Sequence, residues 1–183
     1  YFGDGFARAF GITFTGRDNT LQTPYETSWG MSTRIIGAII MTHGDDSGLV
    51  LPPAIAPTQV IIVPIAQHKP GVLDKAAELE ERLKTVCRVK TDASEQSPGW
   101  KFAEYEMKGV PLRLEIGPKD IEKDQCVVVR RDNREKIFVP LSELEQRIPE
   151  LLKAVHDGMY QKALDRRESM TYSVAGGMDE MIE

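Results

Sequence analysis

Seven consecutive residues, 35–41 (IIGAIIM), carry no polar side chain. The run is too short to cross a bilayer, which takes about 20 apolar residues. It is therefore expected to form a helix buried in protein. Ser32, Thr33 and Arg34 stand just before it; Gly44, Asp45 and Asp46 follow soon after. Ser32 or Thr33 can cap the helix start by accepting a backbone N–H. Arg34 falls in the first turn, where free amides and the helix dipole favour an anion. A guanidinium there adds a fork of donors suited to phosphate; a structural carboxylate is an equally good partner on spacing alone. Gly44 ends the helix and the two aspartates open a loop. About fifty residues cannot bury so apolar a helix, so its packing is expected from sequence outside this chain or from a second copy.

Upstream, GDGFARAFG suggests a short helix with Phe6, Ala9 and Phe10 on one face. GITFTG reads as a strand, RDN as a turn, and residues 21–29 as a second strand feeding the apolar helix. Residues 47–57 (SGLVLPPAIAP) hold Pro52, Pro53 and Pro57 and read as a stiff linker, with a domain boundary at 56/57.

Beyond it, strands and helices alternate, the mark of an α/β layer fold. Residues 60–63 are a continuous apolar run, expected as a buried strand. After Gly71, the apolar positions Val72, Ala76, Leu79, Leu83 and Val86 step by four and three, giving one buried helical stripe to about Val86. Lys75, Glu78, Glu81 and Arg82 read as a solvated face. CRVKTD is a short strand, and Ser97-Pro98 starts a helix that ends near Gly109. Residues 110–116 (VPLRLEI) alternate cleanly, with Arg113 and Glu115 opposite Val110, Leu112, Leu114 and Ile116. Gly117-Pro118 turns the chain. Residues 126–130 and 136–139 form a hairpin around RDNRE. Ser142 and Glu145 fit a capping box. The last helix buries Leu144, Ile148, Leu151, Val155 and Met159, with Pro149 as a kink or a new start, and its pattern fades beyond Ala163 before Gly176 and Gly177.

The net charge of −5 gives no global basic field for nucleic acid. Residues 57–164 hold 18 Lys/Arg and 18 Asp/Glu, so any RNA contact there is local and geometric. Cys87 and Cys126 lie far apart and make no zinc pattern, which points to free buried thiols in a reducing cytosol. No signal peptide or membrane span is legible, and no metal, DNA or membrane contact is expected.

The string TSWGMSTRIIGAIIMTHGDDSGLVLPP resembles motif 3 of class II aminoacyl-tRNA synthetases, in the form found in the archaeal- and eukaryotic-type prolyl-tRNA synthetase family. The likeness continues through APTQVIIVPI and WKFAEYEMKGVPLRLEIGPKD, in the right order, and covers residues 1 to about 165. It implies three parts: residues 1–56 as the end of the catalytic domain, 57–164 as an anticodon-binding domain, and 165–183 as the start of a C-terminal extension. The implied fold is a mixed sheet of about five strands with helices on both faces, after an incomplete α+β remnant. In such enzymes proline is activated with ATP and Mg²⁺ and transferred to tRNA(Pro). The resemblance places Ser32 and Arg34 at ATP, and Ser28, Trp29 and Gly30 at the proline pocket. Core packing at a strand end is the plain alternative for Trp29. Motifs 1 and 2 are not in this sequence, which opens on YFGDG without an initiator Met. A longer cytoplasmic parent, homodimeric as in the family, is expected, and the chain alone is expected to be inactive and to hold no cofactor.

Proline anticodons carry two adjacent guanines. Guanine O6 and N7 accept together from Arg, while its N1–H and N2 amino group donate to a carboxylate. A reader of two guanines therefore mixes cations with carboxylates. The resemblance puts that set on Glu106, Arg113, Lys119, Asp120 and Lys136, with Phe102 or Trp100 as a stacking face. A surface ion-pair cluster is the plain alternative for the charged residues. A non-catalytic RNA- or partner-binding module of the same fold is the competing function.

Overall fold

The structure is a computed structural model and describes residues 1–174. The chain divides into two compact units, Tyr1–Gly37 and Ala38–Glu183. The expected boundary at 56/57 thus falls inside the second unit. The Gly176-Gly177 break and the end of the expected extension lie outside the described residues.

The first unit holds α1 (Gly5–Phe10) and a two-stranded antiparallel ribbon, β1 (Phe14–Thr15) with β2 (Leu21–Gln22). Ala7 is the buried residue of α1; Phe6 and Phe10, expected on a packed face, are exposed. The predicted strand over residues 21–29 shrinks to Leu21–Gln22, followed by one bridge between Gly3 and Glu26. A strand needs a partner for its backbone groups, and among the described residues β1 pairs only over Phe14 and Thr15.

Across the division runs α2 (Arg34–His43), the helix expected from the apolar run. The Ser32 hydroxyl accepts from the Arg34 N–H at 3.4 Å. None of its residues is buried by the rest of the described chain, as expected of a helix whose packing is assigned to sequence outside this chain or to a second copy. Ile35, Ile36, Ile40 and Met41 are exposed. The helical period is local and survives; the layer that would cover the helix is not supplied by the described residues.

The second unit is built on a five-stranded sheet, β3 (Val60–Pro64), β4 (Val89–Thr91), β5 (Leu112–Ile116), β6 (Gln125–Arg130) and β7 (Lys136–Pro140), in the order β4-β3-β5-β6-β7. β3 lies parallel to both β4 and β5; β5, β6 and β7 run antiparallel. The helices are α3 (Val72–Leu83), α4 (Pro98–Met107), α5 (Pro118–Glu122) and α6 (Leu144–Ser169). The core joins Ala76, Leu79 and Leu83 of α3 and Leu144, Ile148 and Val155 of α6 to Leu112, Leu114, Cys126, Val128 and Val139 of the sheet. Arg113 points to the opposite face, where the Phe102 ring of α4 lies 4.0 Å from its guanidinium carbon. Helices therefore cover both faces of β3, and each of its residues is buried. That double cover is why its sequence is apolar without alternation, whereas β5 alternates buried and half-buried residues.

Several expectations change in detail. Val86 lies past the end of α3 and is exposed. Arg82 is not a solvated residue: its guanidinium donates to Glu145 at 2.6 and 2.8 Å and to the Leu141 carbonyl at 2.7 Å. Glu145 is spent on that pair, so the capping box does not form; a 3₁₀ turn at Leu141–Glu143 leads into α6 instead. Pro149 sits inside α6, which continues through it and past Ala163 to Ser169.

The stretch 47–57, expected as a linker, is fastened to the sheet domain. Leu49 N–H donates to the Met107 carbonyl at 2.9 Å and Leu51 N–H to the Gly109 carbonyl at 3.2 Å. Arg88 donates to the carbonyls of Pro53, Ala54 and Ala56. Two glycines permit this approach. Gly48 has φ +126° and a Cβ there would stand 2.6 Å from Met107 backbone; at Gly109, φ +70°, it would stand 2.7 Å from Leu49. Any other residue at either position is strained and obstructed at once.

Candidate nucleic-acid interface

The face of the sheet that carries Arg113 is shaped by strand register. Arg113 is opposite Val129, and Val129 is opposite Lys136, so these three form a row across β5, β6 and β7. Beside it, Glu115, Val127 and Phe138 form the next row. α4 covers the β3 end of this face and stops, leaving Phe138 exposed. The α4 C-terminus and the β6–β7 turn enclose an opening of about 200 Å³, lined by Tyr105, Glu106, Val110, Arg113, Val129 and Lys136 together with Arg130, Arg131 and Arg134.

Most of the charges here have partners. Arg113 is half-buried, stacked on Phe102 and paired with Glu115 at 2.9 Å. Stacking and pairing fix a planar donor in place, as bidentate recognition requires. Glu106 pairs with Arg134 at 3.1 Å. Arg131 is only 4 % exposed and binds Asp45 through both terminal nitrogens, at 2.8 and 2.6 Å, while its Nε donates to the Glu106 carbonyl at 2.8 Å. The Arg131 hydrogen bonds hold the Asp45 carboxyl at about 2, below its ordinary 3.8. A depressed carboxyl stabilises the fold fully above its unfolded pKa, and that stability is lost as pH falls through the folded value. The urea midpoint is thus expected to fall between about pH 4 and pH 2, and Asp45→Asn should flatten that part of the curve. An identical acid limb in both proteins would contradict it.

Behind α4, Lys101 is 1 % exposed and donates to the Asp92 carbonyl at 2.8 Å and to Gln67 at 3.2 Å. It ties the helix that carries Phe102 and Glu106 to the loops of the parallel strands. Burial, with help from Asp92, pushes the Tyr105 hydroxyl up to about 12, so it stays neutral at pH 7.

Of the five residues expected to read guanine, Glu106, Arg113 and Lys136 meet at this opening. Lys119 and Asp120 do not line it. They sit on α5, at the carboxyl end of β5, with Lys119 exposed. The Asp120 carboxylate accepts from the Gly117 N–H at 2.9 Å and caps α5. Of the two suggested stacking residues, Phe102 packs on Arg113; Trp100 is half-exposed. Arg130, Arg131 and Arg134 were not foreseen as site residues. The sequence signal was the RRDNR turn itself, three cations in a hairpin turn beside an alternating strand.

In the first unit, Arg34 is exposed and forms no ion pair among the described residues, so the carboxylate alternative has no partner there. Ser28, Trp29 and Gly30 lie on an exposed stretch without regular structure; Trp29 is 92 % exposed and is not packed into a core. Burial pushes the Cys87 and Cys126 thiols up to about 11 and 12, which makes both poor nucleophiles at neutral pH. Among the described residues no group of three His, Cys, Asp or Glu could hold a metal, and no helix is long and apolar enough to cross a membrane.

The sheet domain is a mixed five-stranded α/β fold that gathers cations and a carboxylate at one opening on a sheet face. The family model described as "Anticodon binding domain" matches residues 59–151, and the chain belongs to that family. The proline–tRNA ligase of Clostridium novyi is 61 % identical over 182 residues, spanning 100 % of this chain and 38 % of its own length. That of Oceanobacillus iheyensis is 60 % identical over 183 residues, with 38 % of its length covered. The crystal structure of prolyl-tRNA synthetase from Cryptosporidium parvum complexed with L-proline and AMP superposes with a TM-score of 0.86 at 44 % identity, covering 94 % of this chain and 38 % of that one. The chain therefore spans well under half the length of the curated relatives it matches.

Proposed function

We propose that this chain is the anticodon-reading portion, with the motif 3 stretch, of a cytoplasmic prolyl-tRNA synthetase, and that it reads the paired guanines of tRNA(Pro). One observation carries the reading: Glu106, Arg113 and Lys136 come from α4, β5 and β7 and meet at a single opening over an aromatic ring. Arg113 supplies paired donors for O6 and N7. Glu106 supplies the acceptor for N1–H and the N2 amino group, and Lys136 a further donor. Lys119 and Asp120 serve the neighbouring base at the end of β5. Arg113→Ala should weaken binding of a GG anticodon stem-loop by about 1–3 kcal/mol and relax the preference for guanine. Equal affinities of wild type and variant in a titration at fixed salt would refute the assignment.

In the whole enzyme, a homodimer by this reading, Ser32 and Arg34 bind ATP, and Ser28, Trp29 and Gly30 form part of the proline pocket. Mg²⁺ belongs with the ATP phosphates. Among the described residues no cluster of three His, Cys, Asp or Glu could hold it.

A further inference from the structure

Of the four arginines that line the opening, the three at the β6–β7 turn differ in freedom. Arg130 donates to Asp132 at 3.0 and 2.7 Å and to the Ala154 carbonyl at 3.1 Å, and is mostly buried. Arg131 is locked to Asp45 and to the end of α4. Arg134 is 62 % exposed, and its partners are the Glu106 carboxylate at 3.1 Å and the Ser47 hydroxyl at 2.5 Å. Its φ is +62°, a left-handed conformation that residues other than Gly, Asn and Asp seldom adopt. The hairpin turn spends strain at the residue that hangs over the opening.

We propose that Arg134 is a phosphate-binding residue of the RNA site and that it leaves Glu106 for a backbone phosphate when a single-stranded loop enters. The proposal rests on the reading of the site given above. An ion pair with one partner largely in water, as Arg134 is here, is weak, whereas a guanidinium meets a phosphate with two parallel, charge-assisted bonds. The exchange has a consequence at the floor of the site. Glu106 is partnered by Arg134 in the free chain; released, its carboxylate can accept from guanine. Phosphate contacts position a strand and carry no base information. Arg134 therefore affects every loop equally, whereas Arg113 discriminates among them.

The test titrates the full chain with two anticodon stem-loops, one with GG and one with both guanines replaced by adenine, over a range of salt. Arg134→Ala should lower the slope of log K against log salt by about 0.7. It should weaken both loops by the same factor, about fourfold at 0.15 M salt. Arg134→Lys should keep the slope, as should Ser47→Ala. An unchanged slope in Arg134→Ala, or a loss confined to the GG loop, would overturn the proposal while leaving the guanine reading intact. A wild-type chain that binds both loops equally would instead overturn the guanine reading on which it rests.

Discussion

Arg131→Ala is expected to destabilise the second unit by about 3 kcal/mol, the largest loss for any single charged residue near the site. The guanidinium is almost fully buried and makes three hydrogen bonds, two of them to an ionised partner. Bonds to charged groups are worth about 1.5–3 kcal/mol each. Asp45 is more than a third exposed, so water recovers part of that on mutation, which keeps the figure below a simple sum. The Glu106 carbonyl at the end of α4 also loses its donor. In a unit of this size the melting temperature should drop by roughly 6–12 °C. Arg131→Met keeps most of the buried side-chain volume and should cost less, separating the ion pair from the lost volume. A melting curve of Arg131→Ala that overlays the wild type would show that the 45–48 loop contributes nothing to the domain. Because Arg131 holds Asp45 and the end of α4 together, the same change should loosen the wall that carries Glu106.

The sheet domain was legible because its signals are local and periodic. The four-three spacing from Val72 to Leu83, the Ser97-Pro98 start and the alternation of residues 112–116 each name one element, and each forms within a few residues of its reading. Where the reading failed, a distant partner decided. Glu145 looked like half of a capping box, yet Arg82 of α3, 63 residues earlier, takes its carboxylate. Gly48 and Gly109 read as loop and helix-end residues, and only the fold brings their backbones into contact. The same reason explains the site. Alternation put Arg113 on the face away from the core, but the convergence of Glu106, Arg113 and Lys136 depends on the β5–β6–β7 register. Arg131 and Arg134 escaped notice because a run of charges in a turn usually marks solvent exposure, and nothing local says that Asp45, 86 residues away, buries one of them. Residues 35–41 form the expected helix, and its exposure in the described chain agrees with a covering layer expected from elsewhere.

Arg34→Ala, placed in a chain that carries the whole catalytic domain, should slow adenylate formation by about 10²–10³, or roughly 3–4 kcal/mol in the barrier. This follows from the proposed ATP role. Arg34 stands in the first turn of a ten-residue helix, with no carboxylate in ion-pair range among the described residues. Its backbone N–H is turned to the Ser32 hydroxyl at 3.4 Å. A guanidinium left without a structural partner at a helix start adds its charge to that of the free amides, and an anion gains from both. A preorganised donor on a reacting phosphate acts mainly in the transition state, so kcat should fall further than KM rises. Because the side chain is exposed and unpaired, folding and anticodon-loop binding should be unchanged, which separates a lost contact from a damaged protein. Proline-dependent ATP–pyrophosphate exchange measures the effect directly. Full exchange activity in Arg34→Ala would remove this residue from the chemistry and leave the exposed helix start without a role.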